Sequence, residues 1–396
     1  MMVMRAAVGL WVLSAVIYVG SANSVSLVTE ANNEFSFRLY RKLAADADSQ
    51  GKNIFFSPAS VSTSLAALSV GAQGETHRQL FSGLGFNSSL LTQTDVDQAF
   101  QMFLQSPNNT CQDTTEGTAV FVDNRFKPKP EFLQTLKQSY LTDGFNVDFT
   151  KATESAGTIN KYVEEKTNRK IDKLVEDLDP NTVMYLISYI YYRGKWATPF
   201  DPELTEEDYF NVDENTKVKV LMMNLEDSFN TYRDNVLNGT VLQLPFTSSY
   251  SMLLMLPDVM ATLEKTIGPH RVTKWLQWMK PRRLDVYIPK FSIKTSYNLN
   301  DVLSEMGMTD MFGEHANLRG ISEEQGLAVS DVVHQATMDI DEAGATAAAS
   351  TGFNIELLAF VAPAPVLTFS RPFMVIIIER NTEEILFMGK IINPTI

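Results

Sequence analysis

The four histidines of the chain are His77, His270, His315 and His334. Imidazole is a common metal ligand and general base, but no two of these residues have the spacing of a His-Glu-x-x-His zinc helix. The chain also lacks a Gly-x-Ser-x-Gly nucleophile turn, a Walker phosphate loop and a Gly-x-Gly-x-x-Gly dinucleotide motif. A triad of distant Ser, His and Asp residues stays open, but no motif indicates one. We therefore predict no enzymatic activity, no metal and no cofactor.

Acidic residues outnumber basic ones, 47 Asp and Glu against 33 Lys and Arg, and the net charge of the 396-residue chain is −14. Such a surface repels nucleic acid, so we expect no nucleic-acid partner. Hydrophobic residues make up 44% of the chain, which is enough for a large core. Because no Pro/Gly/Ser-rich linker and no internal repeat interrupts the chain, we predict one large domain.

The N-terminus has the pattern of a secretory signal peptide: Arg5, an apolar run from Ala6 to Val19, and small residues up to Ala22. A membrane anchor is the alternative, but the run is short for a span of about 20 residues. We expect residues 1–22 to be removed, and residues 23–396 to form a secreted, extracellular protein with no membrane partner.

A single cysteine, Cys111, excludes an internal disulfide, so stability has to come from packing. Its thiol is either an ordinary small side chain or a group open to intermolecular pairing. Three Asn-x-Ser/Thr sequons, at Asn87, Asn108 and Asn238, predict N-glycosylation in a secreted protein.

The segment from Glu342 to Gly352 is unusual because every side chain after Glu342 is small. Its alanines favour a helix, but two glycines, two threonines and a serine weaken that preference. The segment is therefore a short surface helix, a flexible linker, or a strand that slides between two existing strands. Small uncharged side chains suit the last role, because a bulky or charged one would clash or bury an unpaired charge.

Helical patterns dominate the first part of the chain. Phe35, Leu39 and Leu43 recur at a spacing of four. Ser57-Pro58 has the pattern of an N-cap followed by proline in the first turn, and we expect this helix to end at a C-cap glycine, Gly71. A further helix is predicted over residues 152–167.

Strand patterns dominate the rest. Thr182–Tyr192 is a nearly continuous apolar and aromatic run, which is typical of a strand buried on both faces. Other strand patterns occur at Val241–Phe246, Met252–Leu256, Leu284–Ile293, Phe373–Glu379 and Ile385–Ile392. Helices early and strands late indicate an α+β protein with a large sheet.

Ordered motifs along nearly the whole mature chain resemble those of the serpin family, in particular the vertebrate plasma group that includes antitrypsin and antichymotrypsin. They are Asn53-Ile54-Phe55-Phe56-Ser57-Pro58, Gly74-Glu75-Thr76, Tyr191-Tyr192-Arg193-Gly194-Lys195-Trp196, Leu253-Leu254-Met255-Leu256-Pro257, Val286-Tyr287-Ile288-Pro289-Lys290-Phe291, Ile340-Asp341-Glu342-Ala343-Gly344, Arg371-Pro372-Phe373 and Phe387-Met388-Gly389-Lys390-Ile391-Ile392-Asn393-Pro394.

The resemblance implies the serpin fold, a single domain with about three β-sheets, a ring of helices and an exposed reactive-centre loop at about residues 342–366. It also implies inhibition by a suicide mechanism. A serine protease attacks the loop and forms an acyl-enzyme, and the cleaved loop then inserts into the main sheet as a new strand and traps the protease.

The hinge of this loop, as the resemblance implies it, includes Glu342, Gly344, Ala345, Ala347, Ala349 and Thr351. In a strand, the last four of these would share one face and point into the protein. Ala345 stands where Thr or Ser is common in the family, and Thr346 where Glu is common. Neither difference adds bulk or inward charge, so we expect insertion to work.

The implied scissile bond lies about sixteen residues beyond Glu342, at Leu358-Ala359. Leucine fits a hydrophobic primary pocket and cannot pair with the buried carboxylate of a trypsin-like pocket. Chymotrypsin-like proteases are therefore the expected targets, with elastase-like proteases next. Because the loop beyond this bond is long, a bond shifted to Phe360-Val361 stays open.

The resemblance also places Ser57, Ser60, Ser188 and His334 in a hydrogen-bonded cluster under the main sheet, the shutter. It places Trp196 in the breach, where the loop first enters. Ser188 replaces an asparagine usual in the family, and a hydroxyl forms fewer hydrogen bonds than an amide, so the cluster is rewired or holds water. An ordinary buried core residue is the other interpretation of His334 and of Trp196.

Some serpins bind heparin through a helix that corresponds here to residues 95–105, which contain no Lys or Arg. A second basic cluster comprises Arg271, Lys274, Lys280, Arg282 and Arg283. It is either a solvated face or a weak site for sulfated polysaccharide. We expect a monomer whose partner is a serine protease. The alternative function is a non-inhibitory serpin that carries a hormone or small hydrophobic ligand.

Overall fold

The structure, a computed structural model, describes residues 2–105, 114–343 and 362–396, with side chains from residue 23 onward except that of Asp48. The α-helices in this part are α1 (Met2–Ala45), α2 (Pro58–Ser69), α3 (Gly74–Leu84), α4 (Gln93–Leu104), α5 (Pro130–Ser139), α6 (Ala152–Lys166), α7 (Met260–Thr266), α8 (Pro269–Trp278) and α9 (Asn300–Glu305). Within the same residues, no helix is both long and apolar enough to cross a membrane.

The strands are β1 (Ile54–Phe56), β2 (Thr114–Asp123), β3 (Asp143–Val147), β4 (Met184–Tyr192), β5 (Glu206–Asn211), β6 (Lys217–Asp234), β7 (Gly239–Pro245), β8 (Tyr250–Leu256), β9 (Lys280–Pro289), β10 (Phe291–Asn298), β11 (Asp331–Ile340), β12 (Val366–Thr368), β13 (Phe373–Glu379) and β14 (Ile385–Ile391). The α+β architecture predicted from the sequence is therefore confirmed.

These strands form two hydrogen-bonded sheets. One has five strands in the order β10-β11-β4-β2-β3; the other has the order β1-β14-β13-β8-β7-β6-β9-β12, with β5 beside β6. Strand β6 is shared, because most of it pairs with β5 and β9 while its last residues pair with β7. The three sheets expected from the resemblance thus occur as the five-stranded sheet and two strand groups that β6 joins.

Helix α2 lies in the core, with all but one of its residues buried. Its N-terminus is formed as predicted, because Ser57 Oγ accepts the backbone N–H of Ser60 and Pro58 occupies the first turn. The predicted C-cap glycine is wrong: the helix ends at Ser69, and its C-cap is Val70. Gly71 instead packs so closely that a Cβ atom there would overlap the Ile321 side chain.

The predicted strand pattern at Leu284–Ile293 forms two strands rather than one. Strand β9 ends at Pro289 and β10 begins at Phe291. Proline has no N–H to donate to a neighbouring strand, so it interrupts backbone pairing. The chain accordingly pairs with β6 up to Pro289 and with β11 from Phe291 onward. Between the strands, the Lys290 N–H donates to Leu221 O over 2.8 Å.

Candidate functional site

The centre of the five-stranded sheet is a parallel joint between β4 and β11. The two strands pair continuously, from Tyr185 opposite Asp331 to Tyr192 opposite Met338. Strand β2 flanks β4, and β10 flanks β11, both antiparallel. Since β11 ends at Ile340, the chain leaves the end of this joint and reaches Glu342 directly afterwards.

The structure brings the four predicted shutter residues together beneath this joint. The Ser57 N–H donates to His334 Nε2, and Ser188 Oγ lies opposite His334 Nδ1, each over 2.9 Å. Ser188 and His334 face each other in register across β4 and β11. Ser57 Oγ in turn accepts the Ser60 N–H over 3.1 Å. The cluster therefore links α2 to both strands of the joint, with Ser188 supplying a hydroxyl in place of an amide.

His334 is held in its neutral form. Its side chain is fully buried, and this burial lowers the pKa of the imidazole to about 3. Because Nε2 accepts the Ser57 N–H, the proton of the neutral ring is on Nδ1, which donates to Ser188 Oγ. A second proton on Nε2 would face the Ser57 N–H, so protonation would break this contact.

Acid is expected to destabilise the fold through His334. The unfolded chain gains a proton there below about pH 6.5, whereas the folded protein does so only near pH 3. Between these values the unfolded state binds more protons. Each unit by which the pH is lowered therefore reduces the free energy of unfolding by at most about 1.4 kcal/mol through this residue. Urea unfolding of wild type and His334→Asn between about pH 7 and about pH 4.5 measures it. The stability advantage of wild type should shrink toward low pH; a constant difference would contradict the prediction.

Trp196 anchors the chain at the foot of the predicted loop. Its indole is buried and stacks on Phe246, with ring centroids 4.6 Å apart. The indole Nε1 donates to Asp341 O over 2.8 Å, and the Trp196 N–H donates to Ala343 O over 3.1 Å. These two hydrogen bonds fix the backbone at Asp341 and Ala343, where the small-residue segment begins.

The Glu342 carboxylate is held by Lys290 and Thr205, two residues for which no role was predicted. Lys290 Nζ lies 2.7 Å from Oε2, and the Thr205 hydroxyl donates to Oε1 over 3.0 Å. Burial alone would raise the pKa of this carboxyl, but the bonds from Lys290 and Thr205 lower it overall. A signal for Lys290 existed, since it is the one charged residue in the motif Val286–Phe291.

The remaining hinge and bond positions lie outside the described residues: Gly344, Ala345, Ala347, Ala349, Thr351, Leu358 and Ala359, as do the sequon Asn108 and Cys111. The sequons Asn87 and Asn238 are exposed. In the part of the chain with described side chains, no group of three His, Cys, Asp or Glu residues is arranged to hold a metal ion.

The basic cluster near α8 is partly neutralised. Arg271 pairs with Asp234 over 2.9 Å, and Arg283 pairs with Glu226 over 2.7 Å. The exposed Trp278 lies at the end of the same helix. Within this cluster, the side chains that form no ion pair with another described residue are Lys274, Lys280 and Arg282.

Comparison with known proteins gives consistent matches. A family model described as Serpin (serine protease inhibitor) matches residues 30–394. An alpha-1-antiproteinase of Callosciurus caniceps is 42% identical over 367 residues, 91% of this chain and 88% of the relative. A hibernation-specific plasma protein of Tamias sibiricus is 40% identical over 366 residues, 91% and 87% of the two chains. Human thyroxine-binding globulin, solved with thyroxine, superposes with a TM-score of 0.87 at 34% identity, covering 94% of this chain and 100% of the globulin.

Proposed function

The chain belongs to the serpin family, and we propose that it is a secreted suicide inhibitor of serine proteases with a chymotrypsin-like preference. A protease cleaves the Leu358-Ala359 bond and is held as an acyl-enzyme. The loop from Glu342 onward then enters the five-stranded sheet between β4 and β11 as a new strand.

The parallel joint is the observation that carries this proposal. A chain that leaves the end of β11 and folds back beside it runs antiparallel to β11, and therefore also antiparallel to β4. Insertion would replace one parallel ladder by two antiparallel ladders, and parallel pairing is slightly less stable per residue. The other neighbour of β11 is β10, which is antiparallel to it, so a returning chain placed between those two strands would be antiparallel to β11 and parallel to β10.

The small residues of the hinge support the same step. Ala345, Ala347, Ala349 and Thr351 would face the core beneath the sheet, where the cluster of His334 and Ser188 already fills the space. Small uncharged side chains enter such an interior without a desolvation cost for charge.

Incubation with chymotrypsin tests the function. We expect a covalent complex that survives SDS and whose mass is that of the protease plus the cleaved inhibitor. Loop cleavage without trapping should raise the thermal unfolding temperature, because the inserted strand adds a full set of backbone hydrogen bonds. A cleaved, uncomplexed product with unchanged thermal stability would contradict the proposal.

A carrier of a small hydrophobic ligand is the alternative, and the similarity to thyroxine-binding globulin favours it. An open cleft of about 690 Å³ lies between α1, α8 and the turn that joins β13 to β14. Its charged walls are Glu30, Glu34 and Glu383, together with His270. Apolar walls with few polar groups are usual for a hydrophobic ligand, so the three glutamates of this lining disfavour such a ligand in this cleft.

Secretion and glycosylation belong to the same proposal. The relative named as a plasma protein supports an extracellular location, as does the pattern of residues 1–22. Asn87 follows α3 on the surface, and Asn238 lies in the exposed β6–β7 turn. We propose that both carry N-glycans in the secreted protein.

Sulfated polysaccharide is expected to bind weakly. Only Lys274, Lys280 and Arg282 of the basic cluster are unpaired among the described residues, and three contacts give a shallow dependence of affinity on salt. We expect elution from heparin below physiological ionic strength, and earlier still for Lys280→Ala. Retention above about 0.3 M salt would contradict a weak site.

A further inference from the structure

We propose that side chains on the outer face of the five-stranded sheet form a latch across the β4–β11 joint, and that this latch sets the rate at which the sheet opens. The inference rests on the proposed function, because it concerns the joint that the cleaved loop would enter. The latch comprises Tyr191, Arg193, Asp339 and Asp341, together with Lys170, Asp172 and Lys294.

The first contact joins Tyr191 on β4 to Asp339 on β11. The Tyr191 hydroxyl donates to Asp339 Oδ2 over 2.8 Å, and the ring of Tyr191 is buried. Asp339 Oδ1 accepts the hydroxyl of Ser292 on β10 over 2.6 Å. One carboxylate thus ties β11 to both of its neighbours, through hydrogen bonds to a charged acceptor, which are stronger than neutral ones.

The second contact lies directly beyond the ends of the same two strands. Arg193 follows β4, Asp341 follows β11, and the guanidinium Nη2 is 2.6 Å from Asp341 Oδ2. Asp341 also accepts the Ala343 N–H through Oδ1 over 2.9 Å. This ion pair therefore closes the end of the joint at which the loop would begin to insert.

The chain between α6 and β4 forms a strap above these contacts. Lys170 Nζ lies 5.3 Å from the centre of the Tyr191 ring, and Asp172 pairs with Lys294 on β10 over 3.1 Å. Tyr191, Thr337 and Lys294 are in register across β4, β11 and β10. The strap therefore contacts β4 through Lys170 and β10 through Asp172, and these two strands lie on opposite sides of the joint.

Asn160 of α6 holds this strap in place. Its side-chain oxygen accepts the N–H groups of Leu174 and Val175 over 2.9 and 2.8 Å, and its amide donates to Val175 O over 2.8 Å. Leu174 and Val175 belong to the apolar cluster that also contains Ile187 of β4 and Val333 of β11. The strap is thus fixed to a helix and packed on both strands of the joint.

Opening the joint breaks the latch without replacing it. A strand placed between β4 and β11 moves them apart by one strand spacing, about 4.8 Å, which the Tyr191 hydroxyl cannot bridge. The backbone hydrogen bonds of the joint are exchanged for those of the entering strand, but the side-chain contacts are lost. They therefore stabilise the closed sheet and slow its opening.

Uptake of a synthetic peptide tests the latch without a protease. The probe is an acetylated peptide with the sequence of residues 344–356, and its incorporation is followed as a mobility shift on native gels. We expect Tyr191→Phe to take up the peptide about three to ten times faster than wild type, because it loses a hydrogen bond to a charged group. Lys294→Gln should accelerate uptake about twofold at low salt and have no effect at high salt.

Tyr185→Phe is the matched control. Tyr185 lies on β4, on the same face as Tyr191, and its hydroxyl forms no hydrogen bond to a described residue. It should take up peptide at the wild-type rate. Equal rates for Tyr191→Phe, Tyr185→Phe and wild type would overturn the latch while leaving insertion intact. A wild type that takes up no peptide, and is not stabilised by loop cleavage, would overturn the proposed insertion and this inference with it.

Discussion

Replacement of Ala347 by Arg is expected to turn the protein from an inhibitor into a substrate of the protease that it traps. Residue 347 would face the core once the hinge becomes a strand, and a guanidinium there has no charge partner. A barrier raised by about 3 kcal/mol slows insertion roughly 100-fold. Hydrolysis of the acyl-enzyme would then finish before the protease is displaced. The measurement is the ratio of SDS-stable complex to free cleaved inhibitor after reaction with chymotrypsin.

The control for this change is Thr346→Glu, which places a charge on the opposite face of the same strand. Glutamate is common at this position in the family, so the variant should remain an inhibitor. Cleaved Ala347→Arg should also lack the rise in thermal stability expected of cleaved wild type. Full trapping by Ala347→Arg would contradict the inward direction assigned to residue 347.

Signals that depend on neighbouring residues led to correct predictions of local structure. Ser57-Pro58 forms the N-cap and first turn of α2 because the serine hydroxyl and the proline act within one turn. The apolar run before Trp196 forms β4, buried along its whole length. Gly71 shows the limit of such signals. A glycine after a helical pattern indicates a C-cap, whereas this one is required by close packing against Ile321.

Contacts across the joint could not be predicted in the same way. Tyr191 and Asp339 are 148 positions apart, and their contact depends on the register of β4 against β11. Register is usually indicated by alternation of polar and apolar residues. Strand β4 is buried on both faces and has no such alternation. The partners of Glu342 also depend on distant parts of the chain, because they come from the chain after β9 and from the segment before β5.

The shutter shows how a resemblance and the structure contribute different things. The resemblance grouped Ser57, Ser60, Ser188 and His334. Because Ser188 replaces the asparagine usual in the family, it left open whether the cluster is rewired or holds water. In register, Ser188 Oγ reaches Nδ1 while Ser57 N–H occupies Nε2, so a neutral ring has both nitrogens paired. Geometry thus explains why a smaller side chain is sufficient, and it makes the charge state of His334 the quantity to measure.

Leu358→Arg is expected to exchange the class of protease that is inhibited. A guanidinium cannot be buried in a hydrophobic primary pocket, but it pairs with the carboxylate at the base of a trypsin-like pocket. A pocket with a buried charged group discriminates by about 10⁴-fold against a side chain that leaves this group unpaired. The association rate constant with chymotrypsin should therefore fall by about 1,000-fold or more, and that with trypsin should rise by a similar factor.

Phe360→Arg is the matched variant, because it makes the same substitution at the other candidate bond. If the protease cleaves after Leu358, Phe360→Arg should retain chymotrypsin inhibition and gain little toward trypsin. N-terminal sequencing of the released fragment then begins at Ala359. A fragment that begins at Val361, with the specificity change in Phe360→Arg and not in Leu358→Arg, would move the scissile bond to Phe360-Val361. With the shifted bond, the segment between Glu342 and the cleavage site would be two residues longer, but Ala347 would occupy the same face of the inserted strand. The Ala347→Arg prediction would therefore stand with either bond.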